Sequence, residues 1–456
     1  MATHQITKFE KCLLFLLFFE LFAGGGGRFF AFGPLSIRQF LFILLFITFA
    51  IRFIRSRDTR KEILSYFSPP KLAVVIVPFL LGAWILVSAF IGIAHHHAIS
   101  LVATDVLRVI YLITILPLIY YVGEKRFSRK NLVTTLMVAG LVISIITITI
   151  GLIGKSMNVD SFYYFYQDIN HLFPADLYFR PSRGVFHKSH FLVLFAVIVA
   201  SVNIIERNAP KLQYFVLLFG SISLILSETR GLFIGYAIGL FVYILTNLVI
   251  YIFGDRTSLV INKKMMVRRI VFLVIALSVT GFFFKNSTIA RFSNDEPSTS
   301  IRNKNKNHRQ RRPPEEINDE SFNVRILLMN QSLKIIESSK TNALLGNGYG
   351  TVIAKRKGAI EMSLVDIWVE QGIVGVVLWV SFTLLPLYYY FRYFLIRKRL
   401  DNLSIALMAC TLAMLAITNI NPFLNSPIGM GFLVPVIVLA FKRFNSAKSI
   451  LPEVVE

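Results

Sequence analysis

Long, continuously apolar runs, rather than alternating apolar and polar positions, organise this chain. Twelve such runs fall at 11–33, 35–54, 72–94, 100–122, 131–153, 185–204, 212–229, 231–253, 267–285, 373–395, 403–420 and 426–441. Most approach the length of about 20 residues that a helix needs to cross bilayer hydrocarbon. Their lack of a two-residue period excludes a membrane β-barrel, so the expected fold is an all-α polytopic membrane protein of about 12 spans. Two connections are long, at about 154–184 and 286–372. In the second, Ile301 to Glu316 is basic, proline-containing and almost free of apolar residues, which predicts disorder. Phe322 to Ser339 then regains helical apolar spacing and predicts an amphipathic helix.

Composition agrees with this pattern: the 456 residues are 55% hydrophobic with mean hydropathy +0.64, beyond the range of a soluble domain. The net charge of +23 would suggest nucleic acid in a soluble protein. Here the cations gather in short loops between apolar runs. Arg52 to Lys71 follow the second run, Lys125 to Lys130 the fourth, Arg207 and Lys211 the sixth, Arg256 to Arg269 the eighth, Arg397 to Arg399 the tenth and Lys442 to Lys448 the twelfth. Every cluster is an even-numbered exit. That is the positive-inside pattern with both termini cytoplasmic, and it removes the case for nucleic acid. The long basic connection on the outer face does not conflict, because the rule weakens in long loops.

The chain divides into 1–153 (spans one to five), 154–285 (an outer loop and spans six to nine), 286–372 (the large outer loop) and 373–456 (spans ten to twelve and a tail). The first run, broken by Glu20 and the Gly24–Gly27 tract, reads as a retained span rather than a cleaved signal. Cys12 and Cys410 lie in apolar runs, with no spacing that suggests a disulfide or a metal site.

The chemistry-bearing residues collect at outer edges of spans. Arg180 and Arg183 precede span six, and Arg230 stands in a very short turn between spans seven and eight. A guanidinium at a bilayer edge either snorkels to headgroups or meets an anion, and arginine suits a diphosphate. His187 and His190, three apart, share one helix face and suit structural or substrate hydrogen bonding better than a metal, for which no third ligand is evident. Glu361, about a dozen residues before span ten, is placed to act as a general base, with Asp366 and Glu370 as nearby competitors. Gly346, Gly348 and Gly350 form GNGYG, which has no βαβ context and reads as a tight turn rather than a dinucleotide site. The aromatic stretch Ser161 to Phe179 reads as an interfacial belt or a platform for sugar rings. His95 to His97 read as a solvated turn; Glu20 with Arg28, and Asp105 with Arg108, read as structural ion pairs, with Arg108 also able to face a site.

Taken together these stretches resemble the O-antigen polymerase and O-antigen ligase superfamily of bacterial membrane glycosyltransferases. The elements are Arg180 or Arg183 with Gly184 and Phe186; Thr229–Arg230–Gly231; Arg325 followed by Gly346–Gly350; and Glu361–Met362–Ser363 ahead of Gly372–Ile373–Val374–Gly375. They stand in order over about residues 180 to 395. The resemblance implies a GT-C-like helical fold in the bacterial inner membrane and an inverting transfer of glycan from undecaprenyl diphosphate to an acceptor hydroxyl on the periplasmic side. It implies arginines (Arg180, Arg183, Arg230, Arg325) on the diphosphate and glycan, a base in the large loop, no metal or nucleotide cofactor, and a chain-length regulator or flippase as possible partners. The ligases carry histidine where this chain has Glu361, which favours polymerase over ligase. A transporter or flippase is the alternative of another class; it predicts repeated halves and broken helices with mid-membrane polar residues, and no repeat or charge chain is evident in spans six to twelve.

Overall fold

The computed structural model describes residues 5–448 apart from 27–30, 33–34, 70, 174–175, 181, 207–208, 255–266, 268–269, 273, 277, 280, 284, 286–319 and 357–358. The basic stretch Ile301–Glu316 and Arg28 therefore lie outside the described residues.

The fold is helical. In chain order the helices are α1 (Lys8–Ala23), α2 (Ile37–Arg55), α3 (Arg57–Leu64), α4 (Ala73–Ala94), α5 (Ile99–Val109), α6 (Ile115–Tyr121), α7 (Arg129–Ser156), α8 (Val159–Leu172), α9 (His190–Ile205), α10 (Lys211–Leu226), α11 (Arg230–Phe253), α12 (Glu320–Glu337), α13 (Lys340–Leu345), α14 (Ser363–Arg397), α15 (Asn402–Ile417) and α16 (Pro427–Lys448). Two small antiparallel hairpins interrupt them: β1 (Ala31–Phe32) with β2 (Leu35–Ser36), and β3 (Leu177–Phe179) with β4 (Val185–His187). Among the described residues seven helical stretches are long and apolar enough to cross a membrane: Ile37–Arg55, Val74–Ala94, Ile99–Tyr121, Arg129–Ser156, Arg230–Phe253, Ser363–Arg397 and Pro427–Lys448. Shorter apolar helices cover His190–Ile205, Lys211–Leu226 and Asn402–Ile417. The chain is a helical membrane protein.

Helix α9 is the hub, buried on every side from Phe191 to Val202, as expected of a helix that is apolar all round. Its neighbours α7, α10, α11 and α15 approach it closely. Small residues permit this: a Cβ on Gly140 would stand 2.9 Å from Ala196 Cβ, on Gly220 2.6 Å from Val197 Cγ2, and on Gly239 2.6 Å from Ile198 Cδ1. Apolar chains gain little by leaving lipid for protein, so close backbone approach of this kind is how such helices hold together.

Two expected spans differ in detail. The run at 11–33 is a helix only to Ala23, where Gly24 caps it, because glycine favours helix ends over interiors. The run at 100–122 is two helices joined by a 3₁₀ segment, Ile110–Thr114, just ahead of Pro117. The amphipathic helix of the large loop forms as α12. The described positions between 267 and 285 are helical.

Candidate functional site

Long-range contacts gather one set of helix ends together. The C-terminal ends of α1, α4, α7, α10 and α15 meet the N-terminal ends of α9, α11, α14 and α16, and the β3–β4 hairpin and the 320–362 segment close over them. All the site residues expected from the sequence lie at this end. The pairing of Arg129 and Arg443 with Asp401, and of Lys442 with the Val122 carbonyl, marks the other end.

The hairpin holds the first two arginines. Arg180 donates from Nε to the Ser227 carbonyl at 3.1 Å and from Nη2 to Thr229 Oγ1 at 2.8 Å, with its guanidinium over the Phe186 ring. It thereby ties the hairpin to the α10–α11 turn. Gly184 is required at the same junction, because a Cβ there would stand 2.1 Å from the Leu226 carbonyl oxygen. Arg183, in the left-handed region at φ 62°, turns away. Its Nη1 donates to the Gly154 and Met157 carbonyls at the end of α7, and its guanidinium lies over Phe162. That is a helix C-cap by a cation at the negative end of the helix dipole. In this structure Arg183 serves the scaffold rather than an open anion site. Arg230 is the first residue of α11, half-buried, in the turn that Arg180 grips.

The histidines are wholly internal. His190 Nδ1 accepts from the His187 backbone N–H at 2.9 Å, so its Nε2 carries the proton to Ser223 Oγ at 2.7 Å. Ser223 in turn pairs with Thr147. His187 Nδ1 accepts from the Ser189 N–H at 3.1 Å. Both rings organise the start of α9 and neither is exposed to a ligand.

The large loop brings the remaining residues together. Arg325 on α12 donates from Nε to Glu361 Oε2 at 3.1 Å and from Nη2 to the Ile420 carbonyl at 3.3 Å. Arg356 Nη1 lies 3.6 Å from Glu361 Oε1. Ile420 also backs onto Gly231, whose absent Cβ would stand 3.0 Å from it. Arg180, the Thr229–Gly231 turn, Ile420, Arg325, Glu361 and Arg356 thus form one continuous rim. Its far side is fixed by the Ser363 N–H on the Thr418 carbonyl and the Leu364 N–H on Asn419 Oδ1. Beneath it Leu328, Ile336, Ile353, Ile360, Met362 and Val369 form a separate apolar core.

Asp366 and Glu370 belong to a different cluster. Arg108 lies 2.9 Å from Glu370 Oε2, 3.3 Å from Asp366 Oδ2 and 3.8 Å from Asp105 Oδ1, and the three carboxylates are deeply buried. Asp105 also accepts from the Gly350 N–H and Asp366 from the Ile360 N–H and Asn425. The cluster bolts the large loop to α5 and α14. The GNGYG turn crosses α4 there at backbone contact, with the Tyr349 N–H donating to the Ser88 carbonyl at 3.1 Å.

Three groups read from the sequence have further partners in the structure. The histidine triplet is an exposed turn, as expected, and it also docks GNGYG: His97 Nδ1 pairs with the Tyr349 carbonyl at 2.8 Å and His95 with Asn347. Glu20 pairs with Arg38 at 2.6 Å, eighteen residues on and buried, whereas Arg28 lies outside the described residues. Arg108 pairs more closely with Glu370 and Asp366 than with Asp105. The aromatic stretch divides: Phe162, Phe165 and Tyr166 pack against Phe179, while Tyr163 and Tyr164 stay exposed. Sequence reasoning missed Arg356 and the Thr418–Asn425 loop, since neither is distinguished locally from an ordinary basic or polar connection.

No family model matches this chain, and no curated protein is significantly similar to it. The fold and the rim therefore carry the functional argument: a membrane-embedded helical protein with Glu361 between two arginines in a rim at one end of its bundle.

Proposed function

We propose that this protein is a polymerase of surface polysaccharide, an O-antigen-type glycosyltransferase that moves a glycan from undecaprenyl diphosphate to an acceptor sugar hydroxyl at the periplasmic face of the bacterial inner membrane. The observation that supports it most is the rim in which Glu361, Arg325 and Arg356 stand beside the Arg230 turn. In this mechanism the acceptor hydroxyl gives its proton to Glu361. The acceptor oxygen bonds to the anomeric carbon, and the bond from that carbon to the diphosphate oxygen breaks. The electron pair leaves with undecaprenyl diphosphate, whose growing charge the arginines stabilise. Metal and nucleotide have no part in it. Inversion at the anomeric carbon follows from a single displacement. A chain-length regulator or flippase is the partner such a polymerase would meet.

The test is a gel of surface glycan from cells lacking the chain, complemented with wild type, Glu361→Gln or Arg230→Ala. Polymerase predicts that the ladder collapses to a single attached repeat in the deletion strain and in both variants. Loss of all attached glycan, with long chains retained on undecaprenyl diphosphate, assigns the ligase reaction, which uses the same donor. An unchanged profile in the deletion strain removes both.

A second reading, transport, has one observation in its favour. Helix α14 is interrupted at Gly372, with φ 67°, next to the buried Arg108 cluster, and broken helices beside charged groups are a transporter feature. Substrate-dependent proton flux into liposomes, abolished by Glu370→Gln with the glycan ladder intact, would select it.

A further inference from the structure

We infer that Arg325 and Arg356 form a diphosphate site in which the Glu361 carboxylate stands in for the ligand, so that an arriving diphosphate displaces Glu361 and frees it to take a proton. The identity of the ligand rests on the transferase reading; the inference adds Arg356 and an order of events.

Each oxygen of Glu361 is held by a different arginine, Oε2 by Arg325 and Oε1 by Arg356. Such a bridged carboxylate occupies the place that a phosphoryl group would take between two guanidiniums. The three side chains are 28%, 32% and 41% exposed for Arg325, Glu361 and Arg356, so a ligand can reach them. The trio carries one net positive charge with Glu361 in place, and the two arginines alone carry two. A diphosphate brings more negative charge and more acceptor oxygens than one carboxylate, and it wins the exchange.

The chain strains itself to present Arg356. Ile353 and Arg356 exchange backbone hydrogen bonds at 3.3 and 2.8 Å around a two-residue turn. Its central residues, Ala354 at φ 50° and Lys355 at φ 66°, are both left-handed. Tight turns of this kind favour asparagine and glycine, and neither alanine nor lysine adopts the region readily. A half-exposed ion pair contributes little to stability and does not account for two strained residues. Strain of this kind concentrates where a ligand is clamped. The turn is also fixed relative to Arg325: Ile353 packs in the same small core as Leu328, one helical turn beyond Arg325 on α12.

The gate makes Glu361 an ion-pair partner before donor arrives and a base only afterwards.

The test is the affinity of the purified full-length protein for inorganic pyrophosphate, measured calorimetrically in nanodiscs of zwitterionic lipid. Glu361→Gln removes the competing carboxylate and is expected to tighten binding about tenfold, whereas Arg356→Gln and Arg325→Gln weaken it by a similar factor. Unchanged or weaker binding in Glu361→Gln overturns the exchange. Ala354→Pro fixes φ near −65°, which this turn cannot hold, and leaves every charge in place; pyrophosphate binding should fall several-fold while the helical bundle still elutes as a folded, monodisperse protein. Equal affinity in that variant overturns the role of the turn. Repeating Glu361→Gln in nanodiscs containing phosphatidylglycerol separates the sources of phosphate: a gain that persists supports a diphosphate, and a gain that disappears assigns the site to a bilayer headgroup and overturns it. Tightened binding in Glu361→Gln together with a normal glycan profile in the deletion strain keeps the anion exchange and removes glycan transfer.

Discussion

Gly348→Ala puts the docking of the large loop to the test. Gly348 stands at φ 84°, and an added Cβ would meet Gly92 N at 2.1 Å and Gly92 Cα at 2.5 Å. These are backbone atoms of α4, so no side chain can swing aside. Two costs combine: about 1–2 kcal/mol for an L-residue in the left-handed region, and about 1–3 kcal/mol for forcing an extra carbon into a packed contact. The expected destabilisation is about 2–5 kcal/mol, concentrated on the contact that positions Glu361 and Arg356. Gly92→Ala approaches the same contact from the other side, since its Cβ would stand 2.2 Å from the Tyr349 carbonyl oxygen. Gly82→Ala is the internal control: it lies in the same helix, and its Cβ would meet nothing nearer than Leu112 Cδ2 at 3.9 Å. Alanine there should be neutral or stabilising by up to about 1 kcal/mol from helix propensity. The assay is thermal unfolding in detergent with limited proteolysis of the 320–362 segment. Gly348→Ala and Gly92→Ala should expose that segment and lower the melting temperature, and Gly82→Ala should not. Equal behaviour of all three would refute the backbone-contact argument.

Other expectations follow from single contacts. Arg183→Ala removes two hydrogen bonds to the end of α7 and a cation–π contact, which should cost about 2–4 kcal/mol of stability; a variant that melts like wild type but loses activity would instead place Arg183 on the substrate. Arg108→Met leaves Asp105, Asp366 and Glu370 buried without their cation, at a cost of about 3–5 kcal/mol, and the folded fraction by size-exclusion chromatography should drop unless Glu370→Gln is added.

Much of the fold was legible because the bilayer demands it. A run such as 131–153 must be a helix, since lipid offers its backbone no partners, and α7 forms over Arg129–Ser156. A break was harder to read where it depends on a few residues, as ahead of Pro117, because a hydropathy run does not register a 3₁₀ turn. The order of Arg180, Arg230, Arg325 and Glu361 along the chain marked one end of the bundle, and their side chains or turns do meet along one rim. What each arginine does there was not legible. Arg180 and Arg183 differ by three positions, yet one grips the α10–α11 turn and the other caps α7, because Arg183 itself stands in the left-handed region and turns its side chain away.

The sequence by itself determined a helical membrane protein with its chemistry-bearing residues at span edges, since apolar length and the placement of charge are local, additive properties of the chain. Only the tertiary structure decided which charges are neighbours. Arg356 meets Glu361 through a strained two-residue turn, and Arg108 gathers Asp366 and Glu370 from more than 250 positions away. Ion pairs of that kind depend on how helices pack and where a loop lands. Those are sums over many weak contacts that no single stretch of sequence contains.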